Sequence, residues 1–368
     1  MTAGTTMRIL MGVDTLKIFH VREFAAALTK IGAECRVVVD SEVYDGFPSR
    51  RISSWFQTAR RANALFDEFR PDVVFVDRNG HFAKAALDRG LPLLVHLRGD
   101  YWSEVQWYKE TVGRNPVRRV ARHLKGTMEE NCFRNAAMIL PICNYLGDIV
   151  RSRYPDKPAP VMYQGIDSSR WTVDGANAEK KRGEGRSMDL EHPCVGLLQS
   201  ANIWGKAREM LSLPKAMAKM PDVNFYWAGD GPYRDKILAA LSKHDNFRWL
   251  GNLDYPESVR RYLAEIDVYA LISGIDMAPL TLQEAQLMQR PVLATNVGGI
   301  SEIMRDGTTG ILVERQSPEL IAAGIDELLN DEKRSGEMGR NGRRFVEENF
   351  NWDRIAADFV QSIEPAMT

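Results

Sequence analysis

Residues 270–304 read ALISGIDMAPLTLQEAQLMQRPVLATNVGGISEIM. The apolar run VYALIS, which starts two residues earlier at Val268, has the length and β-branched character of a buried strand. It passes into a loop carrying Asp276, and a helix follows with Glu284 in its second turn. A second apolar strand, PVLAT, comes next and ends at the Gly298-Gly299 turn. Strand, helix and strand in this order form a βαβ unit, whose two strands lie parallel in one sheet.

The same alternation extends outward in both directions. Toward the C-terminus it gives a strand at 310–313 and an amphipathic helix at 352–363, with Ile355, Phe359 and Ile363 spaced by four. Toward the N-terminus it gives strands at 194–198, 224–228, 247–250 and 268–272. Before these comes 172–193, a polar stretch rich in charge and Gly without apolar periodicity, which reads as a linker or mobile loop. The first half repeats the pattern with strands at 8–12, 35–39, 73–76, 93–97 and 138–142. Between the first two lies a helix in which Val21, Phe24, Ala25 and Leu28 fall at i, i+3, i+4 and i+7. The fold class is therefore α/β, with two Rossmann-like domains facing a central cleft. Residues 1–171 form the first, 172–193 the linker and 194–350 the second, with a C-terminal helix at 351–368 that can cross back to the first.

The chain of 368 residues holds 48 Lys+Arg and 49 Asp+Glu, a formal charge of −1, which excludes a generally basic nucleic-acid binder. The balance is uneven: Met1 to Gly165 carries 24 basic against 18 acidic residues, or +6, and the remainder 24 against 31, or −7. Four scattered cysteines, with no C-x-x-C pair and no His at ligand spacing, argue against a zinc site and for a reducing compartment. No signal peptide or membrane-spanning run is read from the sequence, so the expected location is cytoplasmic, with peripheral contact to the cytoplasmic face of a membrane allowed. A nicotinamide dehydrogenase is disfavoured, because no Gly-x-Gly-x-x-Gly follows the first strand.

At Asp276-x7-Glu284 the sequence resembles the family 4 glycosyltransferases, retaining enzymes of the GT-B fold whose signature is two acids separated by seven residues. The resemblance runs through HVREFAAALTKIGAECRVVV, QGIDSSRW, FYWAGDGPYRDKI, LGNLDYPESVRRYLAEIDVYAL, NVGGISEIMRDGTTGILV and MGRNGRRFVEENFNW. It implies transfer of a sugar from a nucleotide-diphosphate sugar to a hydroxyl acceptor, which can be a glycan, a lipid-linked molecule or a small molecule. Glu284 then clamps the ribose diol and Asp276 accepts from sugar hydroxyls. The amides of Met277 and Ala278 and the helix beginning near Pro279 face the phosphates. Gly229 and Leu250 fall at turns that line the base pocket, where main-chain groups leave uridine, guanosine and adenosine donors all open. The family commonly has Glu-Gly-Phe-Gly at the first acid, and this chain has Asp276-Met-Ala-Pro.

With no Asp-x-Asp motif, the departing diphosphate is expected to rely on cations in place of a metal, and no cofactor beyond the nucleotide sugar is expected. The family's Arg and Lys after the first strand of the second domain map to Gln199 or Ser200 and to Arg208, with Lys206 one turn short, so Lys206 and Arg208 are taken jointly. In the first domain, Thr15 and Leu16 replace the family's Gly-Gly. Arg98-Gly99 replaces His-Gly; Arg98 could meet donor phosphate or an anionic acceptor, Asp100 a hydroxyl, and His96 either the site or the core. The resemblance implies no catalytic base, since the leaving phosphate can take the acceptor's proton.

In NPVRRVARHLKGTM, Val117, Val120, Ala121 and Leu124 form one stripe and Arg118, Arg119, Arg122 and Lys125 lie away from it. RRISSWFQTARR pairs Arg50, Arg51, Arg60 and Arg61 with Trp55 and Phe56, and Trp102, Trp107 and Tyr108 stand nearby. Such segments either pack a stripe on the core and solvate their charges, or lie on an anionic membrane. The partners expected are thus the donor, the hydroxyl acceptor and an anionic membrane surface, with no nucleic acid. The alternatives are a GT-B enzyme of the nucleotide-sugar epimerase type and a non-catalytic nucleotide-sugar-binding relative.

Overall fold

The computed structural model describes residues 6–15, 18–49, 51–111, 116–173 and 188–367. Most of the expected linker, together with Leu16, Arg50 and the side chains of Tyr108, Val117 and Arg118, lies outside the described residues. The chain divides into two units, 1–165 with 352–368, and 166–351.

The first unit is built on five parallel strands: β1 (Arg8–Val13), β2 (Glu34–Val39), β3 (Val73–Val76), β4 (Leu93–Leu97) and β5 (Met138–Pro141), in the order β2-β1-β3-β4-β5. The last three are buried along their whole length, as expected where helices cover both faces of a parallel sheet. The closing helix, Trp352–Met367, belongs here. Ile355, Phe359 and Ile363 are buried among Phe24, Leu28 and Phe75, with the rings of Phe24 and Phe359 edge to face at 5.1 Å. Burying three such side chains contributes roughly 1.5–3 kcal/mol each, which gives the chain's end a reason to dock on its beginning.

The second unit holds six parallel strands: β6 (Cys194–Leu198), β7 (Asn224–Ala228), β8 (Phe247–Gly251), β9 (Val268–Leu271), β10 (Val292–Thr295) and β11 (Ile311–Val313). Their order is β11-β10-β9-β6-β7-β8. From β6 the chain winds outward to β8, then returns to the other side of β6 at β9. The reversal opens a crevice at the carboxyl ends of β6 and β9, the place where open α/β sheets bind ligands.

One helix is turned opposite to its core-packed reading. On Pro116–Asn135, Val120 and Leu124 are exposed, while Arg122 and Lys125 reach inward to the buried Glu129, at 3.0 and 3.8 Å. Glu129 also accepts from the Tyr101 hydroxyl at 2.8 Å. Val120 lies nine residues before Glu129, about half a turn around the helix, so satisfying a buried acid forces the apolar stripe outward. Trp102, by contrast, packs inward against Phe133 and Tyr154. No described helix is long and apolar enough to cross a membrane.

Candidate active site

The crevice of the second unit is walled by the loops that leave β6, β9 and β10. Asp276 lies in the second of these and is buried. Its position is fixed from below by the Gly298-Gly299 turn. Gly299 N–H donates to the Asp276 carbonyl at 2.9 Å, and Gly298, at φ +56°, passes so close that a Cβ there would stand 2.0 Å from that oxygen. Lys206, on the short helix after β6, donates to Asp276 Oδ1 at 2.8 Å. The two loops are also joined through their backbones, Gly274 N–H to the Lys206 carbonyl at 3.1 Å.

Glu284 sits on the helix Leu280–Leu287 and is 1% exposed. Carboxylate Oε2 has no hydrogen-bond partner. Burial pushes the carboxyl up to about 8, against a smaller pull downward from the Tyr255 hydroxyl that donates to it. Tyr255 escaped the sequence reading; it follows β8 by four residues, at the same carboxyl edge. The buried Tyr269 hydroxyl donates to Thr281 Oγ1 at 2.8 Å and so holds the start of Glu284's helix to β9.

Several expected contacts are placed differently. The Met277 amide donates to Asp276 Oδ1 at 3.0 Å, so it is spent on the acid instead of facing a phosphate. Pro279 is the residue before the helix, at φ −66° and ψ 118°, and the first helical turn begins at Leu280. Ala278 is half-buried beside it. Lys206 and Arg208 stand in different states: Lys206 is held by Asp276, while Arg208 is exposed and makes no ion pair among the described residues. Gln199, one of the two residues expected at the family's Arg position, exchanges two hydrogen bonds with the Ile272 backbone, at 3.0 and 3.1 Å. It thereby laces the ends of β6 and β9 together. A cation missed in the sequence, Arg315, donates to the Gly274 carbonyl at 2.9 Å.

At the expected base pocket, Gly229 has φ +149°, and a Cβ there would stand 2.1 Å from the Gln199 carbonyl oxygen. Its N–H donates to Gly251 O at 2.8 Å, and its own carbonyl accepts from Trp249 Nε1 at 2.8 Å. The carbonyl therefore keeps one lone pair for a ligand and the amide keeps nothing. Leu250 is half-buried on β8, at the edge of the sheet.

In the first unit the charged residues at the strand ends pair with one another, while the Gln164 side chain keeps a buried Nε2 without a partner. Asp77, at the end of β3, takes Arg98 at 3.3 Å and faces His96 Nδ1 at 3.6 Å. The other face of Arg98 is held by Gln164, and His96 Nε2 meets the Met162 carbonyl at 3.2 Å. Burial lowers His96 against the opposing pull of Asp77, so its ring belongs to the core. Asp100 caps the helix Tyr101–Thr111 by accepting from the Ser103 N–H, at 3.1 Å, and from the Ser103 hydroxyl. Both of its oxygens are thus engaged before any hydroxyl ligand arrives. Thr15 is exposed after β1, and Leu16 lies outside the described residues.

At the amino edge of the second sheet, His192, Cys194 and Asp267 come within 4.8 Å of one another, a grouping that cysteine spacing alone did not suggest. Asp267 Oδ2 accepts from Cys194 N–H and meets His192 Nδ1, both at 2.8 Å, and burial pushes the Cys194 thiol up to about 12. The group is closed by its own hydrogen bonds, at the opposite end of the sheet from Asp276.

Residues 194–331 match the family model described as Glycosyl transferases group 1. Spore coat protein SA of Bacillus subtilis is 24% identical over 252 residues, taking in 64% of this chain and 67% of that protein. A GDP-mannose-dependent alpha-(1-6)-phosphatidylinositol monomannoside mannosyltransferase of Mycobacterium tuberculosis is 26% identical over 291 residues, 73% of this chain and 70% of its own length. The matched stretches thus span about two thirds of these relatives. A solved glycosyltransferase from Rickettsia africae ESF-5 superimposes with a TM-score of 0.72 at 15% identity, over 99% of this chain and all of that one. At that identity the likeness speaks to the fold, and the fold is GT-B.

Proposed function

We propose that this chain, which the family match and its relatives support as a GT-B glycosyltransferase of the group 1 type, moves a sugar from a nucleotide-diphosphate sugar to a hydroxyl acceptor with retention of configuration. The observation that carries the reading is the pair of acids at the topological switch of the second sheet. Asp276 is already matched to Lys206, and Glu284 is buried with one oxygen unpartnered. A buried carboxyl oxygen left without a partner costs about 1–3 kcal/mol. A ribose diol supplies the two donors that would remove that cost, so Glu284 is the ribose clamp.

In this reading the bond between the anomeric carbon and the diphosphate oxygen breaks, with its electron pair passing to the phosphate. The acceptor oxygen bonds to the anomeric carbon on the same face, and its proton moves to the departing phosphate oxygen. No side chain is required as base or nucleophile. Lys206, held at the mouth of the crevice by Asp276, meets the growing negative charge, and Asp276 accepts from sugar hydroxyls. Main-chain amides near Ala278 and the uncapped start of the helix at Leu280 assist, and no metal is assigned. The acceptor, lipid-linked or not, is assigned to the first unit, on the side of Thr15 and Arg98.

A thermal-shift panel of UDP, GDP, ADP and their sugars tests the reading. One nucleotide class should raise the melting temperature by several degrees at a hundredfold excess over Kd, and stabilisation by none would sink it. Lys206→Met should keep that shift and slow nucleotide release from the matching donor about 100-fold, the size of one lost electrostatic contact to the developing charge.

A further inference from the structure

The outward-turned stripe of the helix Pro116–Asn135 is not the only apolar surface of its kind. In the first unit, between β2 and the helix Arg60–Phe69, Phe56 is 87% exposed and Ile52 69%, and Phe47 and Trp55 are exposed beside them. This segment is built to hold that arrangement. Trp55 Nε1 donates to Ser49 O at 2.9 Å, Ser49 Oγ donates to Asp45 at 2.6 Å, and the rings of Phe47 and Trp55 meet edge to face at 5.0 Å. Large side chains are thus fixed in water by a hydrogen-bonded loop, where a collapsing loop would hide them.

The two patches share one edge of the unit. Tyr44 packs on His81, which follows β3, with ring centroids 5.4 Å apart. Asn79, two residues before His81, donates to the Glu129 carbonyl on the helix of the stripe at 3.2 Å. Both patches therefore lie at the carboxyl ends of the strands. From Phe47 to Arg61 the sequence carries four arginines and no acid, with Glu42 and Asp45 just before it. Arg51, Arg60, Arg61 and Arg119 are exposed and make no ion pair among the described residues. Of the nearby acids, Glu129 is covered by Arg122 and Tyr101, and Asp45 accepts from Ser49 and keeps its charge. Protruding aromatic and aliphatic side chains ringed by uncompensated arginines match a surface that is apolar beneath and anionic on top.

We infer that the carboxyl-edge rim of the first unit, Phe47 and Arg51 to Arg61 together with the Val120 and Leu124 stripe, docks the protein on an anionic lipid bilayer. Phe56, Ile52, Val120 and Leu124 enter the boundary between headgroups and acyl chains. Arg51, Arg60, Arg61 and Arg119 lie at the level of the lipid phosphates. The inference rests on this surface alone and does not depend on the transfer reaction.

Sedimentation of the full chain with vesicles tests it. Vesicles of phosphatidylglycerol and phosphatidylcholine in equal parts should carry the protein down at low salt. Pure phosphatidylcholine should bind at least about 10-fold less, and 0.5 M salt should release most of the bound protein. Ile52→Ser with Phe56→Ser should cut binding about 10-fold or more. Should that pair disturb the loop, Arg60→Glu with Arg61→Glu, at an exposed helix start that favours acids, should do the same with an unchanged circular dichroism spectrum. Indifference to both vesicle types, or binding that ignores the arginine pair, overturns the inference. So does a concentration-dependent dimer that Phe56→Ser abolishes in the absence of vesicle binding, which would make the rim an interface between copies.

Discussion

The carboxyl edges of the two sheets carry the same kinds of residue in opposite states. In the first unit the ionisable groups Asp77, Arg98 and His96 close on one another, Gln164 accepts from Arg98 but keeps a buried Nε2 without a partner, and Asp100 is absorbed in a helix cap. In the second, Asp276 has a single cationic partner, and Glu284 leaves one buried oxygen bare. A satisfied network rigidifies, whereas an unsatisfied one stores a cost that only a ligand removes. In its charged groups the first edge thus reads as a preformed wall, and the second as a site waiting for hydroxyl donors. The charges point the same way. With the closing helix counted in the first unit, its formal charge is +6 with one Arg and three acids added, or +4, which leaves −5 for the second. A nucleotide diphosphate approaching the more acidic unit depends on a few placed groups, Lys206 first among them.

The largest expected effect comes from removing the bare acid. Glu284→Ala should weaken nucleotide binding by about 4 kcal/mol, close to a thousandfold, if two charge-assisted hydrogen bonds to the ribose are lost. The melting temperature of the free protein should hold or rise, because a buried carboxyl with an unmet oxygen goes with it. Titration of the matching nucleotide into both proteins checks the first part and a melting curve the second. A variant that melts lower and binds normally would place Glu284 with the braced residues of the first unit.

The converse test sits in the first unit. Arg98→Met strands Asp77, whose side chain is 2% exposed, without its counter-charge. Breaking such a pair from one side costs about 3 kcal/mol. Chemical denaturation should show that loss, and nucleotide affinity of the second unit should be unchanged. Loss of donor affinity at full stability would mean that Arg98 reaches the phosphates after all, and the wall would have to be redrawn as a site.

How much of this was legible in the sequence follows from what each feature depends on. The strands were, to within a residue or so: 73–76, 93–97, 194–198 and 224–228 form as expected, because continuous β-branched and apolar runs allow little else in a parallel sheet. The spacing of Asp276 and Glu284 was equally plain. What could not be seen was which partner each polar group finds. Met277 and Gly229 look free as letters and are spent in the fold on Asp276 and on Gly251 and Trp249. The stripe of Val120 and Leu124 has core-like periodicity, yet Glu129 on the far side of the same helix decides which face turns in. Periodicity names a face; only a partner across space orients it.

The smallest of the expected effects bears on the same contrast through pH. Glu284 sits near 8 in the folded protein, against about 4.3 in an unfolded chain. Between those values the folded protein holds a proton that the unfolded chain has released. Its contribution to the stability of the free protein is therefore complete below about 4.3 and is lost as the pH rises through 8. Ribose hydroxyls donate to the carboxylate, so ligand binding must expel that proton. Affinity for the nucleotide should then run the other way, rising close to tenfold per pH unit below 8 and levelling above it. The two slopes have one cause and opposite signs, and they can be measured separately, by melting the free protein and by titrating nucleotide across pH 6 to 9. Glu284→Gln should flatten both. Were only the stability slope to disappear in that variant, the proton would belong to the fold, and the bare oxygen would be a packing defect instead of a site.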